Sequence, residues 1–318
     1  MKAIVYRNYG SHDVLQCEEI EKPTPGDHEV LIKVRAASVN PFDRHYRGRP
    51  YLIRIKTGLS KPKDTRLGRD VAGQVEAVGR NVTQFKSGDE VFGACSGAFA
   101  EYACASESAL VMKPDNVTWE QAASVPIAGL TALQGLRDKG KLQPGQQVLI
   151  NGAAGGGGTF AVQIAKSFGA DVTGVCSTGN IDMVRSIGAD ATIDYTREDF
   201  TKGTQRYDLI LDCIGNHSLS ACRRVLNPNG KFVIVGASKV RTSLSHALKG
   251  LVLSWFVSQN FVMLIARLRK DDLTILGDLI QTGKVTPVID RCYSLSEVPE
   301  AIRYLEQGHA RGKIVVVV

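Results

Sequence analysis

Residues 148–169 read VLINGAAGGGGTFAVQIAKSFG, and this stretch decides the fold. Val148 to Ile150 form an apolar strand suited to a buried sheet. Gly152, Gly155 and Gly158 follow at a spacing of three, so the backbone turns sharply and approaches phosphate oxygens with no Cβ in the way. The helix predicted beyond them buries Ala161, Ile164, Ala165 and Phe168 at helical spacing, and Gly169 suits its C-terminal cap. Its N-terminus offers free N–H groups and the positive end of the helix dipole to an anion. A flexible glycine-rich linker is the alternative, and the apolar elements on both sides argue against it. The pattern predicts a dinucleotide pyrophosphate site around Gly152, Ala154, Gly155, Gly156, Gly157 and Gly158.

Outward from this stretch the chain alternates strand and helix. DVTGVC (171–176) precedes a helix through Met183 to Ile187 that Gly188 closes; ATIDY (191–195), YDLILDCIG (207–215) and KFVIVG (231–236) supply further buried strands. Repeated units of this kind predict an α/β fold, a doubly wound parallel sheet with helices on both faces. Its ligand belongs at the C-terminal ends of the strands, after Asn151, Cys176, Asp194, Ile214 and Gly236. Residues 1–120 have another rhythm. Short runs such as KAIVY, EVLIKVRAA, DVAGQVEAV, DEVFGA and FAEYACA are separated by the turn-rich PTPGDHE and NVTQFKSGDE, which predicts an antiparallel β domain. The closing KIVVVV is β-like and is expected to rejoin it. The expected division is 1–124 with 261–318 for the β-rich domain and 125–260 for the dinucleotide-binding domain.

At 318 residues the chain has room for two cores, and 43% hydrophobic with 22% charged residues describes an ordinary globular composition. Seven cysteines, scattered and without a CxxC pair, argue against a disulfide framework and a structural zinc site and favour a reducing compartment, here expected to be cytoplasmic. No signal peptide is visible, and the apolar stretch 248–268 is interrupted by Lys249, Ser254, Ser258, Gln259, Asn260 and Arg267, too polar to span a bilayer. The net charge is +7, and nine Lys or Arg residues against the single acid Asp64 fall between Arg44 and Arg69. Such a cluster suits a loop facing a phosphorylated cofactor; nucleic acid is not the expected partner, because no recognised binding module accompanies the charge.

An NAD-specific site usually ends its second strand with Asp or Glu, which grips the ribose 2′-hydroxyl. Here that strand runs into Ser177, Thr178, Gly179 and Asn180, with no carboxylate. Ser177, Thr178 and Asn180 can hydrogen-bond a 2′-phosphate, or cap the helix that follows, or both. Gly179 sits where a cation is expected, leaving Arg185 or Arg197 to reach. The reading is NADPH.

The ordered motifs AASVNPFD (36–43), GRDVAGQVEAVG (68–79), GDEVFG (88–93), VPIAGLTALQGL (125–136), NGAAGGGG (151–158), IGADATIDY (187–195) and ARGKIVVVV (310–318) resemble the medium-chain dehydrogenase/reductase superfamily, specifically its zinc-free quinone oxidoreductase (zeta-crystallin-like) branch. The resemblance spans essentially the whole chain. It implies a GroES-like catalytic domain built from both chain ends, a Rossmann domain between, and a cleft binding NADPH. Zinc-dependent relatives place a Cys where this chain has Ser38–Asn40, a His-Glu pair where it has Arg69-Asp70, and a four-cysteine lobe where it has only Cys95 and Cys104. No metal site is therefore expected. Without a Lewis acid, a simple ketone would have to build a localised alkoxide, whereas a quinone or enone spreads the arriving charge through conjugation.

By the resemblance, Asn40 lies beside the nicotinamide and the acceptor carbonyl, with Asp43 supporting its loop; turn chemistry around Pro41 is the other reading of both. Tyr46 and Tyr51 are the candidates to donate a proton or line the acceptor pocket, or they simply pack. Thr131 faces the nicotinamide or bonds its own helix backbone. Gly157 departs from the family's usual Val. Tyr195 corresponds to a position contacting the 2′-phosphate, Cys213 and Ile214 border the adenosine ribose, and Gly236 with Ala237 the nicotinamide ribose. Phe256, Val257 and Ser258 correspond to the strand holding the carboxamide. Lys313 reaches toward the cofactor or stands in solvent before its strand. The expected activity is NADPH-dependent reduction of quinones or α,β-unsaturated carbonyls by a homodimer. A 2-enoyl thioester reductase is the alternative within enzymes, and a weakly active NADPH- or RNA-binding regulator the alternative outside them.

Overall fold

The computed structural model describes residues 1–43, 58, 60–235 and 258–318. The chain divides into two units: Met1–Ile127 with Leu268–Gly283 and Pro287–Val318, and Ala128–Arg267 with Lys284–Thr286. In chain order, the first unit carries β1 (Lys2–Tyr6), β2 (Leu15–Glu19), β3 (Glu29–Val39), β4 (Asp70–Val78), β5 (Glu90–Ala94), β6 (Tyr102–Ser106), β7 (Leu110–Met112) and helix α1 (Trp119–Ala123). Helix α2 (Pro126–Gln134) leads into the second unit, with β8 (Gln147–Asn151), α3 (Gly156–Ser167), β9 (Asp171–Cys176), α4 (Ile181–Ser186), β10 (Ala191–Asp194), β11 (Tyr207–Asp212), α5 (Leu219–Arg224), β12 (Leu226–Ile234) and β13 (Asn260–Met263). The chain then returns through α6 (Lys270–Gln281), β14 (Ile289–Ser294), α7 (Val298–Gln307) and β15 (Lys313–Val317).

The first unit is built on a seven-stranded sheet in the order β14-β15-β3-β4-β5-β7, with β6 also paired to β3, beside a β1–β2 pair. All of its ladders are antiparallel except β14–β15. Val30, Ile32 and Val34 of β3 alternate inward and pack with Val71, Val75, Val91 and Phe99, the period that places every second residue on one face. Three strand ends meet at one place in this sheet. Ser38, near the end of β3, pairs with Asp70, the first residue of β4, and with Val315 of β15.

The second unit holds a six-stranded sheet, all parallel, in the order β10-β9-β8-β11-β12-β13. Val148, Leu149 and Ile150 are fully buried, as strands covered on both faces require. The strand order reverses between β8 and β11, so Asn151 and Asp212, which end those strands in register, stand at the switch point where such sheets bind ligands. The second unit runs to Arg267, whereas the sequence placed its end at 260. The reason is β13, whose Phe261 and Val262 pair with Phe232 and Val233 as a sixth strand. Among the described residues no helix is long and apolar enough to cross a membrane.

Candidate functional site

In the second unit, the glycine run forms a tight turn into α3. Gly152 takes a φ of 86°, a left-handed conformation that favours glycine. The N–H groups of Gly152 and Ala153 both donate to Val175 O, which holds the turn against β9. A Cβ at Gly158 would lie 2.0 Å from Gly152 O, so the helix packs on the turn only because that residue is glycine. Gly155 is the N-cap of α3 and supplies no side chain to its first-turn N–H groups. A Cβ at Gly157 would meet nothing within 4 Å. The result is a bare cradle of backbone donors at the positive end of a twelve-residue helix, which fits a pyrophosphate.

Ser177 and Thr178 lie directly beyond β9. Asn180 Nδ2 donates to Ser177 Oγ at 3.0 Å, while its buried Oδ1 has no hydrogen-bond partner. The expectation that no acid stands near these residues needs correction. Asp194, the last residue of β10, lies opposite Cys176 in register and accepts from Thr178 Oγ1 at 2.5 Å. The sheet register brings it there, and no local motif signals it. Asp194 also accepts from Thr196 N at 3.0 Å and Thr196 Oγ1 at 2.7 Å, and Arg197 Nε lies 3.6 Å away. The hydroxyl of Thr178 leads these partners in holding its carboxyl below the usual range. Three of its acceptor positions are thereby taken. Tyr195 projects outward next to it, and Ile214 is exposed beyond β11. Burial pushes the Cys213 thiol up to about 12, so it stays protonated at neutral pH.

In the first unit, the three strand ends carry a buried polar cluster. Asp70 Oδ1 accepts from Ile127 N at 3.0 Å, in the first turn of α2. Its Oδ2 accepts from Ser38 Oγ at 2.7 Å and Asn40 Nδ2 at 2.9 Å, with Lys313 Nζ at 3.4 Å. Lys313 Nζ also donates to Asn40 Oδ1 at 2.7 Å. Asn40 Nδ2 makes a further bond to Ser38 O at 3.2 Å, and Asn40 N donates to Asp43 Oδ2 at 2.8 Å. Ser38, Asn40, Asp43, Asp70 and Lys313 are each 3% exposed or less. Lys313 is therefore no solvated lysine: being the first residue of a buried strand carries it inward, and burial holds its pKa below the usual lysine value, with the charge of Asp70 opposing. The turn reading of Asn40 and Asp43 is realised in the Asn40 N to Asp43 bond.

Thr131 lies half-buried on α2, and Ser258 is exposed two residues before β13. Tyr46, Tyr51, Gly236, Ala237, Phe256 and Val257 lie outside the described residues.

Residues 26–115 match the alcohol dehydrogenase GroES-like domain family, and residues 187–316 match the zinc-binding dehydrogenase family. The chain is 33% identical to the chloroplast envelope quinone oxidoreductase homolog of Arabidopsis thaliana, over 99% of this chain and 98% of that protein. It is 36% identical to the NADPH-dependent alkenal/one oxidoreductase of the same plant, over 99% of this chain and 79% of that protein. The quinone oxidoreductase structure from Coxiella burnetii superposes with a TM-score of 0.87 at 31% identity, over 100% of this chain and 99% of that one. This chain belongs to the medium-chain dehydrogenase/reductase superfamily, in its quinone oxidoreductase branch.

One matched family of that superfamily is described as zinc-binding, and the residues here do not fit that metal. Catalytic zinc takes three protein ligands from Cys, His or carboxylate and keeps a fourth position open. Among the described residues no group of three or more His, Cys, Asp or Glu is arranged to hold a metal ion. At the strand ends the nearest carboxylate, Asp70, already faces four donors, one of them an ammonium. Cys95 is buried and Cys104 half-buried, and among the described residues neither belongs to a group of three potential ligands. Sequence reasoning had Ser38 and Asp70 only as places lacking zinc ligands, and it missed Asp212. The available signal was a polar residue ending an apolar strand, as in VLIN, LILD and the start of KIVVVV.

Proposed function

We propose that this chain is an NADPH-dependent oxidoreductase that transfers hydride to a quinone or an α,β-unsaturated carbonyl and uses no zinc. The observation that carries the reading is the strand-end cluster. It places a closed ion pair, Lys313 with Asp70, where a metal-dependent relative needs open ligands, so no Lewis acid is at hand for a localised alkoxide. A conjugated acceptor spreads the arriving charge and needs only a few donors.

NADPH, when bound, supplies the hydride. The Gly155–Gly158 backbone would hold its pyrophosphate, and Cys213 with Ile214 would border its adenosine ribose. Ser177, Thr178, Asn180 and Tyr195 would surround the 2′-phosphate, with Arg197 as the nearest cation. Support for NADPH over NADH comes from the lack of a carboxylate in the turn 177–180 after β9 and from the relative named for NADPH; the charge of Asp194 opposes a 2′-phosphate and is faced by Arg197 at 3.6 Å. Asn40 would lie beside the nicotinamide and the acceptor, and water or Tyr46 would return the proton. Assembly as a homodimer is part of the proposal and rests on the apolar 248–265 stretch, most of which lies outside the described residues.

The test is NADPH oxidation against ortho- and para-quinones, enones and simple alcohols or ketones, repeated with NADH and with a zinc chelator. Turnover of quinones or enones with NADPH, unchanged by chelation, is expected. Strong alcohol turnover that requires added zinc overturns the reading.

A further inference from the structure

The ion pair between Lys313 and Asp70 has a feature that strand pairing does not call for. Their side chains are 4% and 0% exposed, and a buried pair of this kind adds less stability than well-packed apolar residues often do. Nor is it needed for register. At this end β3 is already paired with β4 through Ala36↔Ala72 and Ala37↔Val71, and with β15 through Ala36↔Val317 and Ala37↔Val316. Asp70 also holds Ser38 and Ile127, and Lys313 also reaches Val39 O, but the two charges have one side chain in common. The Asn40 amide lies between the two charges, its Oδ1 taking a proton from Lys313 and its Nδ2 giving one to Asp70 at 2.9 Å. The second Nδ2 proton goes to Ser38 O. An amide with both N–H groups engaged, and its oxygen on an ammonium, has one orientation only, because flipping it would set nitrogen against nitrogen and oxygen against carboxylate. It also has no N–H left for an acceptor carbonyl, so Asn40 can face a ligand only through its remaining oxygen lone pair.

We propose that Lys313 is a positioning residue for hydride transfer, an internal cation that with Asp70 locks the Asn40 amide. The inference rests on the proposed activity. The neutral amide of Asn40 bridges the negative Asp70 and the positive Lys313, and each hydrogen bond in such a chain polarises the next. The oxygen of Asn40 is thereby fixed in place without being free to rotate.

The test uses the full-length protein and three variants, Lys313→Met, Lys313→Ala and the double variant Asp70→Asn with Lys313→Met. Lys313→Met leaves Asp70 charged and alone, so it is the one most prone to misfold; the double variant removes both charges and guards against that. In folded variants kcat for a quinone is expected to fall about tenfold or more, as loss of orientation alone can do, while KM for NADPH stays within about threefold, since uniform cofactor binding is untouched. Propylammonium, added to Lys313→Ala, is expected to restore kcat, and propanol of the same size is not. A folded double variant with wild-type kcat overturns the proposal, and so does equal rescue by propanol, which would make the side chain a space filler. If the wild-type protein itself reduces no acceptor with NADPH, the proposed activity fails instead, and that result is separate from either outcome.

Discussion

Asn151 and Asp212 end adjacent parallel strands in register, and Asn151 Nδ2 donates to Asp212 Oδ1 at 2.8 Å. The same oxygen accepts from Ile214 N at 3.1 Å and Gly215 N at 2.9 Å, and Asn151 O accepts from Cys213 N at 3.0 Å. One buried carboxylate therefore shapes the loop after β11 and ties it to the strand that enters the glycine turn. Asp212→Ala would leave three donors, two of them buried, without this acceptor. At about 1–3 kcal/mol for a buried group left unsatisfied, and with partial relaxation, a loss of about 3 kcal/mol is expected in urea unfolding. KM for NADPH is expected to rise while KM for the quinone holds. A variant with wild-type stability would show the loop to be held by other contacts.

The glycines of the cradle are not equivalent. A Cβ at Gly158 would lie 2.0 Å from Gly152 O and 2.8 Å from Ala153, backbone that cannot swing aside. Gly158→Ala is expected to cost about 3 kcal/mol, the upper range for overpacking. Gly157 faces open space in the first turn of α3, so Gly157→Ala is expected to be neutral or up to about 1 kcal/mol stabilising, through helix propensity. Thermal unfolding of the two variants side by side is the measurement, and equal losses would contradict the packing.

The sheet of the second unit was legible in the sequence because buried parallel strands are uninterrupted apolar runs punctuated by glycines: VLIN, DVTGVC and YDLILD each begin or end where the strands do. The cradle was legible for the same reason, since its chemistry is local. What escaped were contacts set by register. Asp194 meets Thr178 because β10 pairs with β9. Lys313 meets Asn40 across 273 residues because β15 pairs with β3. A lysine before an apolar run reads as solvated until the ladder turns it inward. The second unit's reach to Arg267 depended on a four-residue strand whose pairing partner, not its composition, identifies it.

Coenzyme choice has its own test at Ser177. Its hydroxyl accepts from Asn180 Nδ2, in the short turn directly after β9. Ser177→Asp adds a negative charge where the 2′-phosphate is proposed to bind and offers an acceptor pair to a ribose diol. Repulsion at about 4 Å near a surface is worth on the order of a few kcal/mol before salt screening, so KM for NADPH is expected to rise about tenfold or more. KM for NADH should change much less. Equal effects on both coenzymes would place the phosphate elsewhere.

Asp43 makes stability depend on pH. Burial pushes its carboxyl up to about 7, with the Asn40 N–H opposing and the charge of Asp70 adding. The unfolded chain releases this proton near pH 3.9, so between about pH 4 and pH 7 the folded state holds one proton more than the unfolded state. Stability from this residue is therefore complete below about pH 4, declines as pH rises through that window, and is flat above about pH 7. Three pH units at 1.36 kcal/mol each set a ceiling of about 4 kcal/mol. Asp43→Asn keeps an acceptor for Asn40 N and cannot ionise. The wild type's stability relative to this variant, from urea unfolding at steps between pH 4.5 and 7.5, is expected to fall as pH rises. A difference that grows with pH would mean that Asp43 is charged in the folded protein and paired with the ammonium of Lys313, and the cluster would then carry one more negative charge than described above.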